Sequence, residues 1–150
     1  MNILKTIATV GLTLTLVACG SADRFAVTSP AVTDKVSIGF AAVEVRDVSL
    51  PSYAAADEIH IRKSNGTLVS SSNQLWADAP GRAVALELSE NLSRLTNRRV
   101  ASEPWPFEAY PDARLEVRFS ELLASDAGQF TASGQYFVAV ADGRRERSGL

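Results

Sequence analysis

The chain has 150 residues, 15 of them Lys or Arg and 17 Asp or Glu, for a formal charge of −2. A mildly acidic chain whose only basic group, Arg144, Arg145 and Arg147, is split by Glu146 argues against nucleic acid as a partner. One cysteine and one histidine leave no material for a disulfide framework or a zinc site.

The first twenty residues read as a processing segment. Lys5 and the α-amino group form a short positive region, and Thr6 to Ala18 carry no charge. That run suits a signal peptide, since a spanning helix needs about 20 apolar residues. It ends in Leu16-Val17-Ala18-Cys19. Small residues before a cysteine are what a lipoprotein peptidase cuts and what an acyltransferase modifies, so Cys19 is the expected lipidation site. An odd thiol in an exported chain otherwise lacks an explanation. Gly20 follows, not the Asp that favours inner-membrane retention in enteric bacteria. The expected address is therefore the outer membrane, lipid-anchored on its periplasmic face.

The organisation read from the sequence is a signal peptide over 1–18, a lipidated cysteine and tether over 19–35, one domain over 36–142 and a short tail over 143–150. Within the tether, Phe25-Ala26-Val27 is a short extended patch. Val36, Ile38 and Phe40 alternate with polar or small residues, and after Ala41-Ala42 the phase slips to Val43 and Val45. Alternation predicts a half-buried strand and the slip a bulge or bend. Pro51 ends it, because proline cannot donate to a ladder.

Glu58 to Arg62 alternates again, followed by Ser64-Asn65-Gly66 and Thr67-Leu68-Val69. Asn-Gly between two such runs predicts a hairpin. A helix follows. Asp78 is placed to cap it, and Pro80 suits its first turn. Val84, Leu88, Leu92 and Leu95 form one apolar stripe, and Arg98 and Arg99 suit the dipole at its end.

Val100 begins a short strand, and Pro104 to Pro111 form an aromatic, proline-rich connection. Leu115, Val117 and Phe119 alternate as a strand. After a turn at Asp126-Ala127-Gly128, Phe130 through Val140 share one parity as a long antiparallel partner. Asp142-Gly143 is a second hairpin signal, but the residues after it show no apolar alternation. The order predicts an α+β fold, a mainly antiparallel sheet with one principal helix packed on one face.

The inventory for chemistry is thin. His60 shares parity with Glu58 and Arg62, which predicts that it points to solvent, with no partner set for a base. No nucleophile elbow, phosphate-binding loop or dinucleotide fingerprint occurs. No catalytic residue, metal or cofactor is expected, and the reading is of a protein that is not an enzyme.

Several segments together resemble the ABC-type transport auxiliary lipoproteins, the PqiC-like family. They are the cysteine motif at Cys19, the patch Phe25-Ala26-Val27, and Val43-Glu44-Val45 leading to Leu50-Pro51-Ser52-Tyr53. Glu58-Ile59-His60-Ile61-Arg62-Lys63 follows, then Asn73-Gln74-Leu75-Trp76-Ala77 opening the helix. Glu90-Asn91-Leu92-Ser93-Arg94-Leu95 closes it, and Leu115-Glu116-Val117-Arg118-Phe119 with its partner around Tyr136 completes the order. Members of the family usually continue with another strand and a C-terminal helix, and both are expected to be absent here.

The resemblance implies a membrane-integrity role. The chain would be a non-catalytic accessory of a system pairing an ABC transporter with a mammalian-cell-entry (MCE) protein, moving lipid between membranes. Partners would be the MCE-domain protein, the ABC transporter components and the membrane itself. Trp76, Trp105, Phe107 and Tyr110 are candidate partner contacts, since such aromatics are enriched at interfaces. Trp76 has a second reading as a core cap beside the helix start. Two alternatives stand beside the first. One is a phospholipid-binding lipoprotein, although the helix stripe alone makes only one packed core. The other is a structural assembly factor of an outer-membrane complex. An unpaired sheet edge after Asp142-Gly143 would point to a homo-oligomer or to marginal stability.

Overall fold

The structure is a computed structural model that describes residues 21–29 and 32–150. The signal peptide over 1–18 and Cys19 lie outside the described residues. Short strands β1 (Asp23–Phe25) and β2 (Ala42–Val45) are followed by the single turn α1 (Ser52–Ala55). Then come β3 (Ile61–Arg62), β4 (Leu68–Val69), β5 (Gln74–Trp76) and the long helix α2 (Pro80–Thr96). The chain continues through β6 (Arg99–Ser102), β7 (Ala113–Ser125), β8 (Phe130–Val140) and β9 (Arg147–Gly149).

β7 is the axis of the domain. β8 runs antiparallel along one side of it, joined by a tight turn with Gly128 at φ 76. On its other side β2 pairs near its start, Val45 against Leu115, and β3 near its end, Ile61 against Ala124. Between them Ser49 bridges to Arg118. β6 lies outside β2, and β4 outside β3.

The α+β class stands, but the mainly antiparallel sheet does not. β2 runs parallel to both β6 and β7, β3 runs parallel to β7, and β1 and β5 form a separate parallel pair. Half-buried strands alternate whichever way they run, and alternation is usually the mark of antiparallel sheets because parallel ones are covered on both faces. Here β2 alternates in sequence, Val43-Glu44-Val45, yet all three residues are buried, with Glu44 paired to Arg114.

Packing follows from that pattern. Val45, Val48 and Ala85 are the buried centre, and Val84, Leu88, Leu92, Val100, Leu115, Val117 and Phe119 close around them. The helix stripe thus meets the inward faces of β2, β6 and β7. Burying each such side chain stabilises by about 1.5–3 kcal/mol. Gly81 lets the first turn of α2 approach, since a Cβ there would lie 2.7 Å from the Val48 carbonyl oxygen.

Local details correct the sequence reading in four places. Asp78 is not the N-cap; Ala79 is, and Asp78 accepts a hydrogen bond from the Ala79 amide at 2.8 Å and pairs with Arg82. Residues 36–40 form no strand. Instead the Val36 amide donates to the Leu95 carbonyl and the Lys35 ammonium to that of Arg94, holding this segment against the end of α2. The extended patch expected at Phe25-Ala26-Val27 within the tether is a strand two residues earlier, β1 over Asp23–Phe25. Residues 147–149, read as tail, are β9, paired to Tyr136–Val138 of β8, so that stretch of edge is covered. The Asn65-Gly66 hairpin forms as expected, with Gly66 at φ 85.

β7 carries one irregularity. Its register with β8 shifts between Phe119 and Glu121. The extra residue, Ser120, reverses the parity of β7 beyond it. Leu122 and Ala124 therefore join Phe119 on the helix side.

Candidate functional site, an apolar groove

Beyond the bulge, the sheet outruns the helix. α2 starts at Pro80, β7 continues to Ser125, and the space between them is a groove of about 250 Å3. Its walls come from segments far apart in the chain. Trp76 and Pro80 stand at the start of α2, Tyr53 and Ala54 on α1, and Ile59 and His60 before β3. Leu122 and Ala124 form the floor, Phe130 stands at the open edge, and Val27 closes one side just after β1.

The groove has little polar character. His60 lines it and is half-buried, its Nδ1 3.0 Å from the Glu58 carbonyl oxygen. This corrects the solvent-facing orientation expected from strand parity: the regular strand begins only at Ile61, so parity does not extend back to residue 60. One imidazole against a backbone carbonyl gives no base–nucleophile pair. Nearby charges are paired outside the groove, Arg62 with Glu121 at 2.5 Å and Asp78 with Arg82. The Ala79 amide and the Arg82 guanidinium hold the Asp78 carboxyl below its ordinary value.

The four aromatic contact candidates do not come together. Trp76 lines the groove and is half-buried. Trp105, Phe107 and Tyr110 lie in the loop leading into β7, at the other end of that strand. Thirteen residues of strand put roughly 40 Å between these ends. At that far end Trp105 and Phe107 pack edge to face with centroids 5.0 Å apart. The Arg99 guanidinium covers Phe107 at 4.9 Å, and the Trp105 indole N–H donates to the Ala109 carbonyl at 2.7 Å. Tyr110 is 86% exposed beside a shallow hollow shared with Arg114 and Ala139.

The sequence reading missed Tyr53, Ile59, Leu122 and Phe130 as groove residues. The doublet Leu122-Leu123, apolar on both parities, was the one available signal of the bulge. Among the described residues no group of three His, Cys, Asp or Glu side chains could hold a metal ion, and no helix is long and apolar enough to cross a membrane.

Half-covered mixed sheet, one long helix and an open apolar groove define an α+β domain. The chain belongs to the ABC-type transport auxiliary lipoprotein component family, whose model matches residues 25–149. The family is an accessory class of transport systems and is not known as catalytic. Two crystal structures share the fold. One, of an uncharacterized protein, is 22% identical with a TM-score of 0.60 and covers 78% of each chain. The other, of a Xanthomonas campestris protein from a domain family of unknown function, is 17% identical with a TM-score of 0.55. It covers 86% of this chain and 73% of its own. No curated protein matches the chain.

Proposed function

We infer that this chain is a non-catalytic lipoprotein of the outer membrane, anchored by Cys19 on the periplasmic face. It serves an ABC transport system that moves lipid between membranes through an MCE-domain protein. The observation that carries the reading is family membership over nearly the whole domain. Two features of the molecule support it. Its chemistry-bearing residues are sparse, and its two ends differ, one apolar and close in sequence to Cys19, the other an exposed aromatic loop.

In this reading the anchored domain holds the far end of the MCE assembly, and Trp105, Phe107 and Tyr110 are its contact surface. Their mutual packing and the Arg99 cover preorganise that loop, which lowers the ordering cost of binding. Affinity purification of the lipidated chain from detergent-solubilised membranes tests it. The MCE-domain protein and ABC components should co-purify, and recovery of the bait alone would contradict the assignment. Cys19→Ser should abolish incorporation of labelled palmitate and leave the uncut precursor.

The groove favours a second reading, that of a phospholipid carrier. Its volume of about 250 Å3 lies below the range that encloses even a drug-sized ligand. It therefore suits one acyl segment rather than a whole lipid, and the accessory reading stays ahead.

A further inference from the structure

Phe130 lines the groove, and further large apolar side chains that the fold leaves uncovered stand on strands tied to its lining by register. Phe130 is 66% exposed, Phe25 45% and Val69 40%. Their placement is fixed by strand register. Val69 pairs with Ile61, Ile61 with Ala124, and Ala124 with Phe130, so one row crosses four strands on a single face. Phe25 pairs with Trp76 across β1 and β5. Isolated exposed apolar residues need no explanation, but several at one end of a domain, in register with groove residues, do.

The path of the chain says what lies opposite. Cys19 is four positions before Asp23, the first residue of β1. Fully extended, those residues reach about 14 Å. β1 itself borders the groove, so an acyl anchor on Cys19 holds this end of the domain, and not the Tyr110 end, against the bilayer.

We propose that the Phe25, Val69 and Phe130 set is a membrane-contact surface, seated in the leaflet that holds the Cys19 anchor, with the groove open to its acyl chains. The proposal rests on the Cys19 assignment. It adds an orientation, with β7 standing off the membrane and the Trp105–Tyr110 loop at its outer tip.

The two tryptophans of the chain are native probes of the two ends. The lipidated mature chain beginning at Cys19 is reconstituted into vesicles of phosphatidylethanolamine and phosphatidylglycerol with brominated acyl chains. Trp105→Phe leaves only Trp76, and Trp76→Phe leaves only Trp105. Side chains that enter the headgroup–acyl boundary, about 5–10 Å deep, meet the brominated chains and lose emission. Quenching is expected for Trp76 and not for Trp105. Phe130→Asp, at an exposed position where folding is not at stake, should relieve the quenching of Trp76 while the protein still floats with the vesicles.

Flotation separates the two claims. Loss of flotation in the unsubstituted protein would refute the anchor. Flotation with equal quenching at both tryptophans, or none at either, would overturn the contact surface alone. So would a Trp76 emission that ignores bromine and shifts only when an MCE-domain protein is added.

Discussion

Phe25 lies in register with Trp76 across a parallel pair of three-residue strands. The pair is closed by the Ala77 amide donating to the Phe25 carbonyl at 2.8 Å. The segment nearest Cys19 is thereby stitched to the wall of the groove. Truncating Trp76 removes a half-buried indole from both elements. Trp76→Ala should cost about 2 kcal/mol, roughly half the value for a fully buried aromatic, as a lower midpoint in urea. Hydrogen exchange should rise selectively at the Phe25 to Ala77 amides. Uniform exchange across the domain would show that β1 is not held by this contact.

Gly134 stands opposite the bulge in β7. A Cβ at this position would lie 2.3 Å from the Arg118 carbonyl oxygen and 2.7 Å from the Phe119 Cα. Backbone on both strands must shift to admit it. Gly134→Ala should destabilise by about 1–3 kcal/mol, the usual range for forced overpacking. Denaturation with an unchanged slope and a lower midpoint checks this. An unchanged midpoint would mean that the bulge is soft.

Glu44 is a buried carboxylate at the centre of the sheet, and its partner is the half-exposed Arg114 guanidinium at 2.7 Å. Removing the partner leaves the charge unpaired. Because Arg114 reaches water, Arg114→Ala should cost only about 1–2 kcal/mol, below the figure for fully buried pairs. Adding Glu44→Gln should recover part of that loss. A double-mutant cycle with zero coupling would contradict the pairing.

Asp78 should titrate below the ordinary aspartate range, because the Ala79 amide and the Arg82 guanidinium favour its charged form. A depressed value in the folded state gives stability that is present above the unfolded value of about 3.9 and is lost as pH falls through the folded one. The carboxylate is solvent-exposed, so the effect is small and local. Carbon-detected NMR titration should show Arg82→Ala moving the Asp78 midpoint up. No movement would leave the Ala79 amide as the only cause.

What the sequence made legible was local. The hairpin at Asn65-Gly66, the turns at Gly128 and Gly143, and the stripe of Val84, Leu88 and Leu92 are each set by residues within a few positions of one another. The parallel pairing of β2 and β3 with β7 was not legible, because Val43, Val45 and Ile61 alternate in the same way for either direction. The groove was hidden for a related reason. Val27, Tyr53, Trp76 and Phe130 meet only after the sheet is assembled, and Leu122 joins them only because Ser120 is bulged. Of the contact candidates, Trp105, Phe107 and Tyr110 could be grouped by proximity in the chain. That Trp76 belongs to the opposite end could not be seen until β7 was placed.

The central claim is that one end of this domain meets membrane and the other meets the transport partner. Photo-crosslinking in living cells tests it most directly, with a photoreactive amino acid at position 110 in one strain and at 130 in another. Position 110 should capture an MCE-domain protein and position 130 should capture lipid. Capture of the MCE-domain protein from position 130, with none from 110, would contradict the account.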